Sequence, residues 1–225
     1  MNYETSFWTW YGQQIRQELK WGVRVVAPPT VEPVTLAEAA LHSGIDTWGS
    51  PAEYPDQALI EAMIKASRDM CERYLGRSLA PQTVMWSGHN FPATEFIELP
   101  FGPVLGIESI TYNDGTGDVM LGTSSYLLDN EIEPACVYTL NGAAWPTISP
   151  RPGGVRIRYV AGYTIDGDSP NEWPLPPSLR SAILLTFGHL YENRETTRTE
   201  GNPVTEIPMG ARYLMDPYRL RIGMA

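Results

Sequence analysis

Three histidines, two cysteines and a few paired acids are the side chains of this sequence that could carry covalent, acid–base or metal chemistry. A nucleophile needs a base within hydrogen-bond reach and a third group to orient that base. His42, His89 and His189 lie far apart in sequence, and none stands in a nucleophile motif. His189 falls inside an apolar helical pattern, where a satisfied core or interface histidine is expected. His42 closes a short helical segment, whose carbonyl end suits a partial positive charge. His89 sits in a Gly/Asn loop and is expected in solvent. Cys71 and Cys136 have no companions at metal-ligand spacing. "DNEIE" at 129–133 and "DGD" at 166–168 carry calcium-type oxygen ligands, but neither has the spacing of an EF-hand loop, so solvated turns are expected. Glu95 and Glu98, in "EFIEL", could serve glycoside chemistry only if the fold paired them; their expected role is the polar face of a strand. The sequence has no GxxxxGK[ST], GxGxxG or GxSxG, and "GPVLG" at 102–106 lacks a phosphate-binding context. The expectation is therefore no enzyme: no catalytic, cofactor-binding or metal-binding residue, and no cofactor.

The elements that would position any site must be built from an acidic chain. A net charge of −10 argues against non-specific DNA binding, which depends on phosphate neutralisation by Lys and Arg. Two thiols cannot form a disulfide framework, which points to a reducing, cytosolic setting. The start, "MNYETSFWTWYGQQIRQ", has no basic region followed by an apolar run, so no signal peptide is expected. No apolar stretch approaches the ~20 residues of a membrane helix. Twenty prolines and twenty glycines, spread without a period, imply many turns and exclude collagen-like and linker readings.

Residues 1–33 read as an N-terminal arm, dense in Trp8, Trp10, Tyr11 and Trp21 and ending in the extended "VRVVAPPTVEP". These aromatics either patch the subunit's own core or contact a neighbouring subunit. Helical sequence occupies 34–80. Thr35 with Glu38 makes a capping box, and Gly44 is the expected stop. In "DQALIEAMIKASRDMCERYLG", Leu59, Ile60, Met63, Ile64, Met70, Cys71 and Tyr74 form one broad stripe at helical spacing, and Gly76 supplies the cap. Residues 81–170 form a β-rich insertion of short runs punctuated by turn residues. "NDGTGD" signals a hairpin. Val155, Ile157 and Tyr159 alternate with Arg156 and Arg158, which predicts one buried and one wet face. Helical sequence resumes over 171–200, entered through prolines. There Leu179, Ala182, Ile183, Phe187, Leu190 and Tyr191 make the main stripe, widened by Leu184 and Leu185. A polar loop at 195–206 leads to a C-terminal arm within 201–225, where "PMGARYLM" can make helical turns before Pro217. The fold class is α+β: a small helical bundle with an inserted β-rich subdomain and extended terminal arms.

The closing stretch "ARYLMDPYRLRIGMA" carries Arg212, Arg219 and Arg221 against Asp216, among apolar and aromatic side chains. Such a basic, greasy tail either folds back on the bundle or leaves the subunit to dock elsewhere.

In series, "VTLAEAALHSGID", "DQALIEAMIKASRDMCERYLGRSLAPQT", "IELPFGPVLGIESITYND", "GGVRIRYVAGY", "PPSLRSAILLTFGHLYENRE" and "LMDPYR" resemble the head–tail connector (adaptor) proteins of tailed bacteriophages and prophages. The resemblance spans roughly residues 34–222. It implies a virion structural protein, located at the head–tail interface and in the host cytoplasm during assembly. It implies a homo-oligomeric ring of twelvefold symmetry under the portal protein, extending the DNA channel and offering a platform to the next tail-side protein, a stopper or tail terminator. Genomic DNA would pass through without specific binding, helped by the acidic charge; no membrane is involved. At "LMDPYR" it implies that the C-terminal segment docks on the portal. Arg212, Tyr213, Leu214, Met215, Tyr218, Arg219, Leu220, Arg221 and Ile222 would fill grooves and pair with acids, from an arm that is mobile before docking. Competing readings are another tail-completion or baseplate module, and a small hydrolase with dispersed carboxylates.

Overall fold

The computed structural model of the chain describes residues 21–49, 53–165, 173–193 and 207–220. The fold is α+β, and the chain divides into two compact units. One gathers the residues up to Pro28 with Gln82–Ala161; the other gathers Pro29–Pro81 with the chain from Gly162 onward.

The first unit is built of strands: β1 (Trp21–Ala27), β2 (Gln82–Gly88), β3 (Phe96–Leu99), β4 (Val104–Asn113), β5 (Asp118–Met120), β6 (Tyr126–Asp129), β7 (Ala135–Thr139) and β8 (Val155–Ala161). They form a five-stranded sheet in the order β1-β2-β8-β4-β5 and a three-stranded sheet in the order β3-β7-β6, with antiparallel neighbours throughout. The expected alternation in β8 holds: Val155, Ile157 and Tyr159 are fully buried, while Arg156 and Arg158 point the other way and meet Asp118 and Glu108. Both sheets feed one core. Val84, Trp86, Ile110 and Ile157 come from the larger sheet, Ile97, Leu99 and Val137 from the smaller. Each such side chain contributes about 1.5–3 kcal/mol through burial. The buried phenol of Tyr159 donates to the carbonyl of Pro100 at 2.7 Å, so its polar end is satisfied. Asp114 and Gly117 close the 113–118 hairpin through a backbone bond of 3.2 Å, with Gly115 at φ 100°.

The structure corrects the reading of 1–33 as an arm where that stretch is described. Residues 21–27 are β1, paired in antiparallel register with β2 from Trp21↔Gly88 to Ala27↔Thr83. The extended, valine-rich run finds a ladder in its own chain. Trp21 stands on that strand, exposed; Trp8, Trp10 and Tyr11 lie outside the described residues.

The second unit is helical: α1 (Leu36–His42), α2 (Gln57–Leu75), α3 (Pro177–Glu192) and α4 (Met209–Met215). The capping box forms: Thr35 Oγ1 accepts from the Glu38 amide at 3.2 Å, and the Glu38 carboxylate accepts from the Thr35 amide at 2.8 Å. α2 buries Ile60, Ile64, Cys71 and Leu75 along with the polar Ser67, Arg68 and Glu72, and stops at Gly76 with φ 67°. Leu59, counted in the apolar stripe, is exposed, because the buried line steps through 60, 64, 67, 71 and 75 and leaves its neighbour to one side. α3 supplies Leu179, Ala182, Ile183 and Phe187 to the same core, and Leu184 packs against it. Leu185, on the widened side of the stripe, faces outward and is exposed. Gly162 lies where an added Cβ would sit 2.1 Å from the Ala80 carbonyl oxygen, at φ 136°, so only glycine fits there.

Candidate functional site

The side chains considered for chemistry stay apart. His42 ends α1, with its ring beside Gly188 of α3. His189 is half-buried on α3, with Nδ1 3.3 Å from the Asn193 side-chain amide. His89 and Glu95 line a cleft of about 800 Å³ in the β unit, walled by residues 89–95 and 142–150. Phe91 and Trp145 stack there with centroids 5.0 Å apart, and the Trp145 indole N–H donates to the Thr94 carbonyl at 3.0 Å. Glu98 is an exposed residue of β3. Among the described residues, no group of three or more His, Cys, Asp or Glu could hold a metal ion. Asp129 accepts from the Glu131 amide at 3.2 Å, as in a turn; 166–168 lies outside the described residues. Both thiols are buried. Burial pushes Cys71 up to about 11, against a hydrogen-bond contact with Thr186 Oγ1 at 3.6 Å, and burial likewise raises Cys136. A high thiol pKa leaves little thiolate for nucleophilic or redox chemistry.

The C-terminal segment is more informative. Its sequence left two courses open, and residues 207–220 take the fold-back course. Ala211 and Met215 of α4 are fully buried in the helical core, with Leu214 and Tyr218 packed partly against it. The following turn is fastened to the end of α2. The Tyr74 hydroxyl donates to Asp216 Oδ1 at 2.5 Å, and the Arg219 guanidinium lies 4.7 Å from the centroid of the same ring. Arg77 Nε donates to the Tyr218 carbonyl, and the Leu220 amide donates to the Leu75 carbonyl at 2.9 Å. The hydroxyls of Ser178 and Tyr218 are 3.3 Å apart.

Residues 207–220 thus pack on their own bundle, and Met215 of the expected docking set lies buried there. The 3.6-residue period that buries Ala211 and Met215 turns their neighbours outward. Tyr213 and Met209, one turn apart, are each 70% exposed, and Leu185 of α3 stands beside the backbone at Gly210. Leu214, Tyr218, Arg219 and Leu220 are engaged with the bundle, and Arg212 lies half-buried between the two faces. Arg221 and Ile222 lie outside the described residues. The outward apolar face thus keeps Tyr213 and gains Met209 and Leu185. The signal for Leu185 was an apolar stripe too wide for one partner.

A buried ionic cluster was not anticipated from sequence. Arg68 donates to Glu32 at 2.8 Å and to Glu72 at 2.7 Å, and Glu72 also accepts the Leu79 amide at 2.7 Å. Burial pushes the Glu72 carboxyl up while Arg68 pulls it down. These contacts tie the chain before α1 to the turn that follows α2.

No protein-family model matches this chain, and no curated protein matches it. Solved structures do. The chain is 20% identical to a chain of the virion of the native gene transfer agent particle, with a TM-score of 0.68, covering 90% of this chain and 98% of that one. A chain from the neck of the empty particle, computed with C6 symmetry, gives 0.67 at 20% identity, over 91% and 98% of the two chains. One from the neck of the native particle, computed with C12 symmetry, gives 0.63 at 20% identity, over 90% and 98%. At this identity the likeness establishes a shared fold, and it takes in both units.

Proposed function

We propose that this chain is a structural protein of a phage-like particle, a head–tail connector (adaptor) that forms a ring below the portal. In this reading it extends the DNA channel and presents a platform to the next tail-side protein. The observation that carries it is the extent of the fold likeness: 98% of a particle-neck chain is covered, so the likeness is to a whole neck component. The C6 and C12 symmetries of those necks support a ring, and twelve copies suit the larger symmetry. That the similar chains come from particle necks supports the connector over a baseplate module.

The portal-facing surface in this proposal is the outward side of α4, with Tyr213 and Met209 as anchors and Leu185 beside them. Tyrosine suits such a role because it brings large apolar area at a low entropic cost. The acidic charge of the chain serves passage of DNA without adhesion, an effect partly screened by cellular salt.

Electron microscopy of the purified protein mixed with the portal of its own particle tests the proposal. A ring of this chain stacked coaxially on the portal is expected. A bare portal beside free monomers overturns it.

A further inference from the structure

We infer that neighbouring copies in the ring meet edge to edge through the five-stranded sheet, the β1 edge of one copy against the β5 edge of the next. This inference rests on the ring reading and specifies its contact. β1 and β5 are the outer strands of one sheet, separated by three others, so the two edges lie about 19 Å apart in a copy. Among the described residues each outer strand pairs on one side only, which leaves a row of backbone donors and acceptors on the other.

Edge strands are commonly guarded by short length, charge or proline. β1 is seven residues long and carries one charged side chain, Arg24. Its Trp21 and Val25 are 43% and 52% exposed. At the far edge, β5 is short, three residues opening on Asp118, whose charge Arg156 already meets, and its Met120 is 68% exposed. Charge separates in the same way. The polar contact of Arg24 is a weak one, to Met85 Sδ at 3.9 Å, and it has no carboxylate partner among the described residues. Asp114, in the turn leading to β5, accepts from Thr116 and Gly117 and has no cation partner among the described residues. An uncompensated cation with apolar neighbours thus marks one edge, and an uncompensated anion with an exposed methionine marks the other. One copy cannot bring its own two edges together. Copies in head-to-tail succession can, and such heterologous contacts close into rings. A β1–β1 pairing would set Arg24 near its own counterpart and stop at a dimer.

The test places cysteines at Val25→Cys and Met120→Cys in the full chain, confirms rings by electron microscopy, and treats them with a short bismaleimide. Cys71 and Cys136 are buried and stay silent. The double variant is expected to give a ladder of covalent multimers, and each single variant to stay monomeric. Dimers from Val25→Cys alone overturn the inference in favour of β1–β1 pairing. Rings that give no ladder overturn it while leaving the ring reading intact. Absence of rings from the unaltered chain on its portal removes both. As a second measurement, Arg24→Glu on this exposed edge is expected to reduce ring yield; full yield overturns the electrostatic part of the argument.

Discussion

The phenol of Tyr74, near the end of α2, donates to the carboxylate of Asp216, in the turn after α4, across 2.5 Å. Asp216 is 142 residues further along the chain, and the bond pins the C-terminal segment where the Leu220 amide reaches Leu75. Tyr74→Phe removes the donor and keeps the ring under Arg219. The expected result is faster hydrogen exchange of the Leu220 amide, with core amides of α2 unchanged. Unaltered exchange at Leu220 would show that the backbone bond holds without the clasp.

The same bond has a pH signature. The hydrogen bond to Asp216 comes first among the causes that raise the Tyr74 hydroxyl above its ordinary value of 10.0. A folded-state value above the unfolded one means the contribution is fully present below pH 10 and fades as pH climbs through the raised value. The Leu220 amide should therefore lose protection at high pH in the parent, and Tyr74→Phe should lack that component. Identical alkaline profiles for the two chains would count against the clasp.

Arg68 and Glu72 form a buried pair with Glu32 at its margin. Removing one partner strands a charge away from water. Arg68→Ala is expected to cost about 3–5 kcal/mol, read as a lower urea midpoint. A loss below about 1 kcal/mol, the scale of an exposed pair, would mean that water reaches the cluster.

Gly162→Ala tests a close backbone approach. The new Cβ would meet the Ala80 carbonyl oxygen at 2.1 Å, from a φ of 136° that L residues rarely take. The expected destabilisation is about 3 kcal/mol, combining strain with overpacking. Near-wild-type stability would mean that the chain at Ala80 yields easily.

Much of this architecture was legible because its determinants are local. Thr35 and Glu38 cap a helix three residues apart, and Val155, Ile157 and Tyr159 announce their face by alternation alone. What escaped depends on partners far away in sequence. Nothing near residue 21 shows that β1 pairs with residues 83–88, and nothing near Arg68 shows that two acids await it. The C-terminal segment was ambiguous for the same reason: its composition fits a groove, and only the fold decides that the groove is its own. The outward face formed by Tyr213, Met209 and Leu185 joins two helices separated in sequence, so no single stretch could display it.

Met215 and Tyr213 sit two residues apart on α4 with opposite fates, which lets stability and docking be separated. Met215 is fully buried among the helical core, while Tyr213 is 70% exposed. Met215→Ala leaves a cavity and is expected to cost about 2–5 kcal/mol in a denaturation experiment. Tyr213→Ala removes little that is buried and is expected to stay within about 0.5 kcal/mol of the parent. On the proposed function, the same Tyr213→Ala change weakens binding to the portal about tenfold or more, as truncating a tyrosine anchor does. Paired titrations of both variants against the portal read the difference: under conditions where Met215→Ala remains folded, it should bind as the parent does. Should Tyr213→Ala bind with parental affinity while folded, the outward face of α4 is not the docking surface, and the portal contact must be sought elsewhere on the chain.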